Sequence, residues 1–574
     1  MSKLSGPTKP VIERIEDWPI YRLSEDREAF VQQIDEFTVD RLMQLSNEQL
    51  QDIIVKTIYL ERIRIKEEPW KVDPPNERQF WGRIRKHMVR RSLDKNDEES
   101  RMQTEEILRR IVNRYSEEIV GTFKIPTFRF ARRFLTLFFN RLLNTAASRN
   151  LSRIWSTRHR VSERFNVVGD IDQLRKLATK GTLVVVPTHS SNLDSIMIGY
   201  VLDLMGFPSF SYGAGLNLYN TGYTAYFMNR LGAYRIDRRK KNPIYLETLK
   251  GMSNLSIQRG TNSLFFPGGT RCRSGNIENK LKMGMLGTVV EAQRAICERG
   301  EDNKLIIVPL ILCYHSVLEA KYLIDQHLKR TGKEQYIDYS YSRRKVLSFM
   351  WRLFSASSKI TLSFGKPMDV LGNFVNEEGE SFDRHGHKVE IADYFVSDGE
   401  IRTDLQREQE YTRILAKRIV RRYHRDNVVL SSHLVAFSAF NILRHTNPNL
   451  DLYGLLRLPE EEYIFNFDVL KKVVSQLRDH LLGMEKNGQI KLSRQIQGDV
   501  EELIRHGMRN LGIFHPTKPL HFSKSGQLVS QDFKLLYYYH NRLENYHLEK
   551  VIQWKGLDDG SSAAVDQPQV LMGQ

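Results

Sequence analysis

His189 and Asp194 stand five positions apart in VVVPTHSSNLDS, directly after an apolar run. Val184, Val185 and Val186 read as a buried strand, the turn that follows carries the imidazole, and the next residues open a helix. If Ser191 or Asn192 caps that helix, the Asp194 carboxylate lies about a turn inside it and can fold back on the ring. A carboxylate so placed holds one tautomer and stabilises the imidazolium, leaving the second ring nitrogen to take a proton from a hydroxyl. The pair reads as a general base. With 16 histidines in the chain, about one such spacing arises by chance, so its neighbours must carry part of the argument.

Two further stretches supply cations. In FFPGGTRCRSG, Phe265 and Phe266 end a strand, and Pro267, Gly268 and Gly269 force a turn that presents Thr270, Arg271 and Arg273. Glycines allow close backbone approach to an oxyanion, and guanidinium forks bind phosphate bidentately. No GK[ST] follows, so this is not a Walker loop. GAYRIDRRKK places Arg235, Arg238, Arg239, Lys240 and Lys241 after a glycine. Alone, the first stretch is equally a basic solvated turn and the second a solvated face.

In this order the three elements resemble the glycerophospholipid acyltransferase family, which moves a fatty acyl group from a thioester to a glycerol phosphate. The family's His-x-x-x-x-Asp block is matched by His189 and Asp194. Its Gly-x-Phe-x-Ile-x-Arg block is matched by Gly232, Ile236 and Arg238, with Tyr234 for the aromatic and Arg235 and Asp237 as departures. Its Phe-Pro-Glu-Gly-Thr-Arg-Ser-Arg block is matched by Phe266, Pro267, Gly269, Thr270, Arg271 and Arg273, but Gly268 stands where glutamate is expected and Cys272 where serine is. Val308 and Pro309 match an apolar Val-Pro strand, with Tyr314 downstream, and SFGKPMDV looks like the strand-terminating Phe-Gly-x-Pro that often follows. The resemblance covers about Asn166–Val370.

The resemblance implies an α/β fold, a mixed-sheet acyltransferase domain flanked by helical regions. It implies His189 as base, Asp194 as its orienting partner, and Arg238, Gly269, Thr270, Arg271 and Arg273 as the acceptor's binding residues. The thioester is already activated, so the remaining demands are deprotonating the alcohol, holding the oxyanion and positioning the acceptor. Donors at Ser190–Asn192 or helix-start amides could meet the second. No metal or redox cofactor is required; the donor is acyl-CoA or acyl carrier protein. The long helical flanks resemble the larger first-acylation enzymes, which favours glycerol 3-phosphate acylated at the sn-1 hydroxyl; lysophosphatidate and dihydroxyacetone phosphate stay open as acceptors. The missing glutamate, generally associated with acceptor binding, keeps a non-catalytic lipid-binding protein as the reading of a different class.

The elements that must position these residues are legible in outline. Thr182–Val186, Ser263–Phe266, Lys304–Leu312 and Lys359–Phe364 are short apolar runs separated by helical stretches, an α/β pattern over residues 151–425. Residues 1–150 carry helical spacing, as in Thr104–Ile119 and Phe128–Leu143. An acidic, glycine-containing insertion is expected near 371–404, helix resumes over 426–554, and 555–574 reads as a disordered tail.

The 574 residues carry 86 Lys plus Arg against 69 Asp plus Glu, a net charge of +17. That charge suits acidic substrates, an anionic membrane surface or nucleic acid. Zinc-finger, ribonucleoprotein and Walker signatures are all missing, so nucleic acid is not expected, and KRIVRRYHR (Lys417–Arg425) reads as a lipid- or carrier-facing cluster or a solvated helix face. Three cysteines, Cys272, Cys297 and Cys313, suit a reducing compartment. MSKLSGPTKP lacks a secretory apolar core, and Leu305–Tyr314 is too short to span a bilayer. The expected location is the cytoplasmic face of a membrane, held peripherally. On a helical wheel Phe128, Ala131, Leu135, Phe138 and Leu142 centre an apolar face, with Arg129 and Arg133 on the polar arc and Arg132 and Arg141 at its boundary. This face meets either lipid or the catalytic domain. His433, His445, Phe437 and Phe440 are expected in a helical core.

Overall fold

The computed structural model describes residues 2–3, 8–70, 72–90, 97–147, 165–219, 222–331 and 359–557. They fall into two compact units: Met1–Arg271 with Glu278–Leu312 and Thr361–Tyr423, and Cys272–Ile277 with Cys313–Ile360 and His424–Gln574. The expected tail beyond residue 557 and the side chains of Phe138, Arg141 and Leu142 lie outside the described residues.

The sheet takes its strands from β1 (Ser2–Lys3), β2 (Phe165–Val168), β3 (Gly181–Pro187), β4 (Ser211–Gly215), β5 (Ala233–Ile236), β6 (Ser263–Leu264), β7 (Lys304–Cys313) and β8 (Ile360–Phe364). Their spatial order is β1-β2-β8-β7-β3-β6-β4-β5. β1 runs antiparallel to β2, whereas β7, β3, β6, β4 and β5 are mutually parallel, which makes the sheet mixed. β3 and β7 pair from Gly181 opposite Lys304 to Pro187 opposite Leu310. Both are buried almost throughout, as their unbroken Val, Ile and Leu runs require in a parallel sheet covered on both faces. Parallel strands finish on one edge. The turns after β3, β5 and β6, which carry His189, Arg238 and Gly268–Arg271, therefore emerge together, as ligand-binding loops of open α/β sheets do.

The N-terminal helices grip one of those turns. α1 (Pro19–Glu25), α2 (Arg27–Met43), α3 (Asn47–Glu67), α4 (Glu77–Arg90), α5 (Asp97–Ile119) and α6 (Ile125–Ala147) precede the sheet. Phe30, Ile34, Ile54, Trp81, Leu108, Ile111 and Tyr115 from this region share one buried core with Tyr245, Leu249 and Met252. Those last three belong to the helix that follows β5. After α7 (Ile171–Leu177), α8 (Asp194–Leu204) and α9 (Gly222–Met228), that helix is α10 (Pro243–Gln258). Asn242 caps α10 by accepting from Tyr245 N at 2.9 Å, and its amide donates to Glu61 on α3 at 3.0 Å. Tyr115 also donates to Glu61, at 2.8 Å. Two carboxylates reach the basic run itself: Asp73 pairs with Arg239 and Glu118 with the buried Lys240.

The face at Phe128–Leu143 divides. At its start the expected centre is turned into protein, with Ala131 buried and Phe128 packed on Trp18 and Phe123 at ring separations of 5.2 and 5.4 Å. The exposed aromatics are neighbours on the same helix, Phe130 and Phe134 (56% and 49% exposed). Residues 371–404 form antiparallel ribbons: Phe374–Val375, Ser381–Phe382 and Lys388–Val389 in one, Val396–Ser397 and Glu400–Ile401 in another.

In the second unit the helix Ser431–Thr446 is buried over Ser431–Leu443. His433 lies within it, its Nε2 3.0 Å from the Tyr314 carbonyl, and His540 stacks against Phe437 and Phe440 at 4.9 and 4.0 Å. Desolvation pushes His315 down to about 3, helped by His506, and His515 and His540 down to about 4. These rings stay neutral when folded but charge in the unfolded chain below about 6.5, so the unfolded state binds more protons there. Stability is therefore undiminished above pH 6.5 and falls with pH between about 6.5 and 4, by about 1.4 kcal/mol per histidine per pH unit. Thermal unfolding followed from pH 7.5 to 5 should show a midpoint that holds to about pH 6.5 and falls below it; an unchanged midpoint would contradict these burials.

Candidate active site

Strand β3 delivers His189 through a turn pinned to β7. Thr188 N donates to the Leu310 carbonyl at 2.9 Å, and the Thr188 hydroxyl accepts from Leu312 N at 3.2 Å. His189 Nδ1 lies 2.9 Å from Asp194 Oδ2, and the same oxygen accepts from the amides of Ser190 (2.7 Å) and Ser191 (2.8 Å). An ionised carboxylate only accepts, which favours the Nδ1–H tautomer of the neutral ring and leaves Nε2 turned away from Asp194. Phe266, from the turn after β6, stacks on the ring at 4.0 Å and 25°. The backbone of His189 is held as well, its N–H donating to Glu278 Oε1 at 2.8 Å.

The cap differs from the sequence expectation. Leu193 is the N-cap and Asp194 is the first residue of α8, not a residue one turn in. Its buried carboxylate reaches back along the chain to the amides that precede the helix, a favourable site for negative charge. Ser191 Oγ accepts from Leu193 N at 3.3 Å, and the Ser190 and Ser191 amides are spent on Asp194, which removes them as oxyanion donors.

The basic run after β5 is sorted by its partners. Arg235 donates to Asn229 and lies over the Tyr219 ring, Arg239 is taken by Asp237 and Asp73 over Trp70, and Lys240 by Glu118. Arg238 makes no hydrogen bond or ion pair with a described residue. Desolvation, then the like charge of Arg271, holds its guanidinium below the ordinary arginine value, so the two cations share one neighbourhood. Between Phe266 and Arg271 the chain turns sharply at Gly269, whose φ of +75° suits glycine. Its N–H donates to the Phe266 carbonyl at 2.9 Å. Thr270 follows, half-buried. Arg273 falls in the second unit, where its Nε donates to Gln326 at 3.0 Å.

Residues 164–312 match the model of the Acyltransferase family. These residues make up an acyltransferase domain. The chain is similar to the glycerol-3-phosphate acyltransferase of Aeromonas hydrophila, 28% identical over 274 residues, which is 47% of this chain and 30% of that protein. It is similar also to those of Pseudomonas aeruginosa (24% over 290 residues, 50% and 31%) and a Shewanella species (25% over 327 residues, 56% and 35%). The matches span about a third of these relatives' length.

Within the acyltransferase domain, the sequence reading passed over two residues, both in the NIENKLKMG stretch before α11 (Met283–Glu298). Glu278 is one. Lys282 is the other: its N–H donates to the Pro267 carbonyl at 2.8 Å, and a β-carbon at Gly269 would sit 2.8 Å from its Nζ. The only available signal was proximity to the glycine turn.

The Asp194 bonds make a stability prediction for the domain. Asp194→Ala strands the Ser190 and Ser191 amides, at about 1–3 kcal/mol for each buried unsatisfied donor. Asp194→Asn keeps an accepting oxygen and should cost less. Denaturant unfolding should rank the proteins wild type, Asn, then Ala; an Ala variant as stable as wild type would remove Asp194 as the organiser of the turn.

Proposed function

We propose that this protein transfers a fatty acyl group from acyl-CoA or acyl carrier protein to the sn-1 hydroxyl of glycerol 3-phosphate, in phospholipid synthesis at the cytoplasmic face of a membrane. The observation that carries the reading is the buried Asp194 carboxylate on His189 Nδ1, within a domain matching the Acyltransferase family. The names of the similar proteins support the acceptor.

In the proposed step, His189 Nε2 takes the proton of the acceptor hydroxyl as its oxygen attacks the thioester carbonyl carbon. Asp194 stabilises the imidazolium that results. The tetrahedral intermediate collapses, the C–S bond breaks, and the imidazolium returns the proton to the departing thiolate. Arg238 and Arg271 bind the acceptor's phosphate and so orient the hydroxyl. Gly269 and Thr270 form the turn beneath them. Arg273 has no part in this step: it belongs to the second unit, where its Nε is committed to Gln326.

Incubation with labelled glycerol 3-phosphate, lysophosphatidate or dihydroxyacetone phosphate and each donor tests this reading. Labelled 1-acylglycerol 3-phosphate is expected; no product from any acceptor would favour a lipid-binding protein without activity. In the same assay His189→Ala should lose about a hundred- to ten-thousandfold in turnover with its fold intact. Arg238→Ala and Arg271→Ala should raise KM for the phosphorylated acceptor far more than for the donor, because a phosphate contact contributes before and during reaction alike.

Among the described residues no helix is long and apolar enough to cross a membrane. The proposed lipid contact is the exposed aromatic cluster of Phe130, Phe134 and Tyr226. Phe130 stacks on Phe134 at 6.1 Å and on Phe227 at 5.9 Å, and Arg230 lies over Tyr226. Exposed Arg129 and Arg133 flank it with charge for anionic headgroups. Phe130→Asp with Phe134→Asp should release the folded protein from anionic vesicles, and wild-type binding should weaken as salt rises from 0.1 to about 1 M. Unchanged sedimentation of the double variant would place the contact elsewhere.

A further inference from the structure

Gly268 occupies the position where the family pattern has glutamate, and its φ lies outside the left-handed region, so the backbone there does not demand glycine. What limits the position is space. A β-carbon on residue 268 would lie 3.3 Å from Glu278 Cγ and 3.5 Å from Glu278 Oε1. A side chain growing from 268 would run into the volume that the Glu278 side chain already fills. The Glu278 carboxylate reaches the catalytic turn as well, accepting from the backbone N–H of His189 at 2.8 Å. Its third neighbour is Tyr423. That buried phenol donates to the Val186 carbonyl at 2.9 Å and is held well above the ordinary tyrosine value, first by burial and then by the charge of Glu278.

We propose that Glu278 is the positioning residue for the acyl acceptor, supplying from the far side of the turn the carboxylate that Gly268 lacks. The inference rests on the acyl-transfer reading above. A glycerol phosphate brings a hydroxyl to His189 and a phosphate to the arginines. A carboxylate beside the base can accept a hydrogen bond from the acceptor's hydroxyls, which neither arginine nor the lysine at 282 can do. Glycine at 268 is then the partner of glutamate at 278: one position gives up its side chain so that the other can enter.

The experiment compares wild type, Glu278→Gln, Glu278→Ala, Gly268→Glu and the combination Gly268→Glu with Glu278→Ala. Kinetics are measured against glycerol 3-phosphate and against acyl donor, with thermal unfolding as the check on folding. Glu278→Gln keeps an oxygen for the His189 N–H and removes only the charge. If Glu278 merely braces the backbone, this variant behaves as wild type. If it positions the acceptor, kcat/KM for glycerol 3-phosphate falls at least about tenfold while KM for the donor changes little. The combined variant should regain about tenfold over Glu278→Ala, whereas Gly268→Glu alone, with two carboxylates competing for one space, should be less active than wild type. A wild-type kcat/KM for the acceptor in Glu278→Gln overturns the proposal, as does a folded combined variant without recovery. Should the combined variant not fold, Glu278→Gln decides alone. Absence of transfer by wild type overturns the acyl-transfer reading together with this one; an active wild type with a normal Glu278→Gln overturns this one only.

Discussion

The site depends on one oxygen. Asp194 Oδ2 is buried, and it accepts from the His189 ring and from two consecutive backbone amides. Burying an ionised carboxylate is costly unless such donors surround it, so the turn after β3 folds the way that satisfies the charge. The imidazole is one of the three donors. Its tautomer and orientation thus follow from the electrostatics of the turn and need no separate device. The same arrangement removes the Ser190 and Ser191 amides from any role on the substrate, which leaves the oxyanion to donors elsewhere.

Around that centre the parallel sheet gathers groups that are distant in the chain. β3, β5 and β6 end on one edge, so His189, the arginines and the glycine turn meet without any loop having to be long. The N-terminal helices add selection. With Asp73 from the α3–α4 connection on Arg239 and Glu118 from α5 on Lys240, they fix the basic run and leave Arg238 as the guanidinium that shares its neighbourhood with Arg271. Neighbours thus divide the basic run between guanidinium and ammonium groups that brace the fold and one, Arg238, that has no such partner among the described residues.

Much of this was legible because certain physical signals are local. The strands β3 and β7 are largely apolar runs between turn formers, β8 (ITLSF) alternates apolar and hydroxyl residues, and the order of the motifs carried the family resemblance. β4 (SYGAG) and β5 (AYRI) escaped notice because they are short and contain glycine or arginine, and parallel pairing with neighbours compensates for their weak propensity. The start of α8 differs from the expectation because Asp194 takes the Ser190 and Ser191 amides itself, while Ser191 Oγ accepts from the N–H of Leu193 rather than from one inside the helix. Glu278 was invisible for a different reason. A carboxylate filling the space of a missing one is a relation between two positions in three dimensions, and no spacing rule encodes it. The clamp of Asp73 and Glu118 on the basic run is equally non-local, which is why the run read as a solvated face.

The central claim is that Asp194 keeps the proton on His189 Nδ1 and presents Nε2 as the base. Nitrogen-15 NMR of histidine-labelled protein, with His189 assigned by its loss in His189→Ala and the ring brought to its neutral form, observes this directly. A protonated Nδ1 and an unprotonated Nε2 are expected for His189, with the preference lost in Asp194→Ala. A neutral His189 carrying its proton on Nε2 would contradict it.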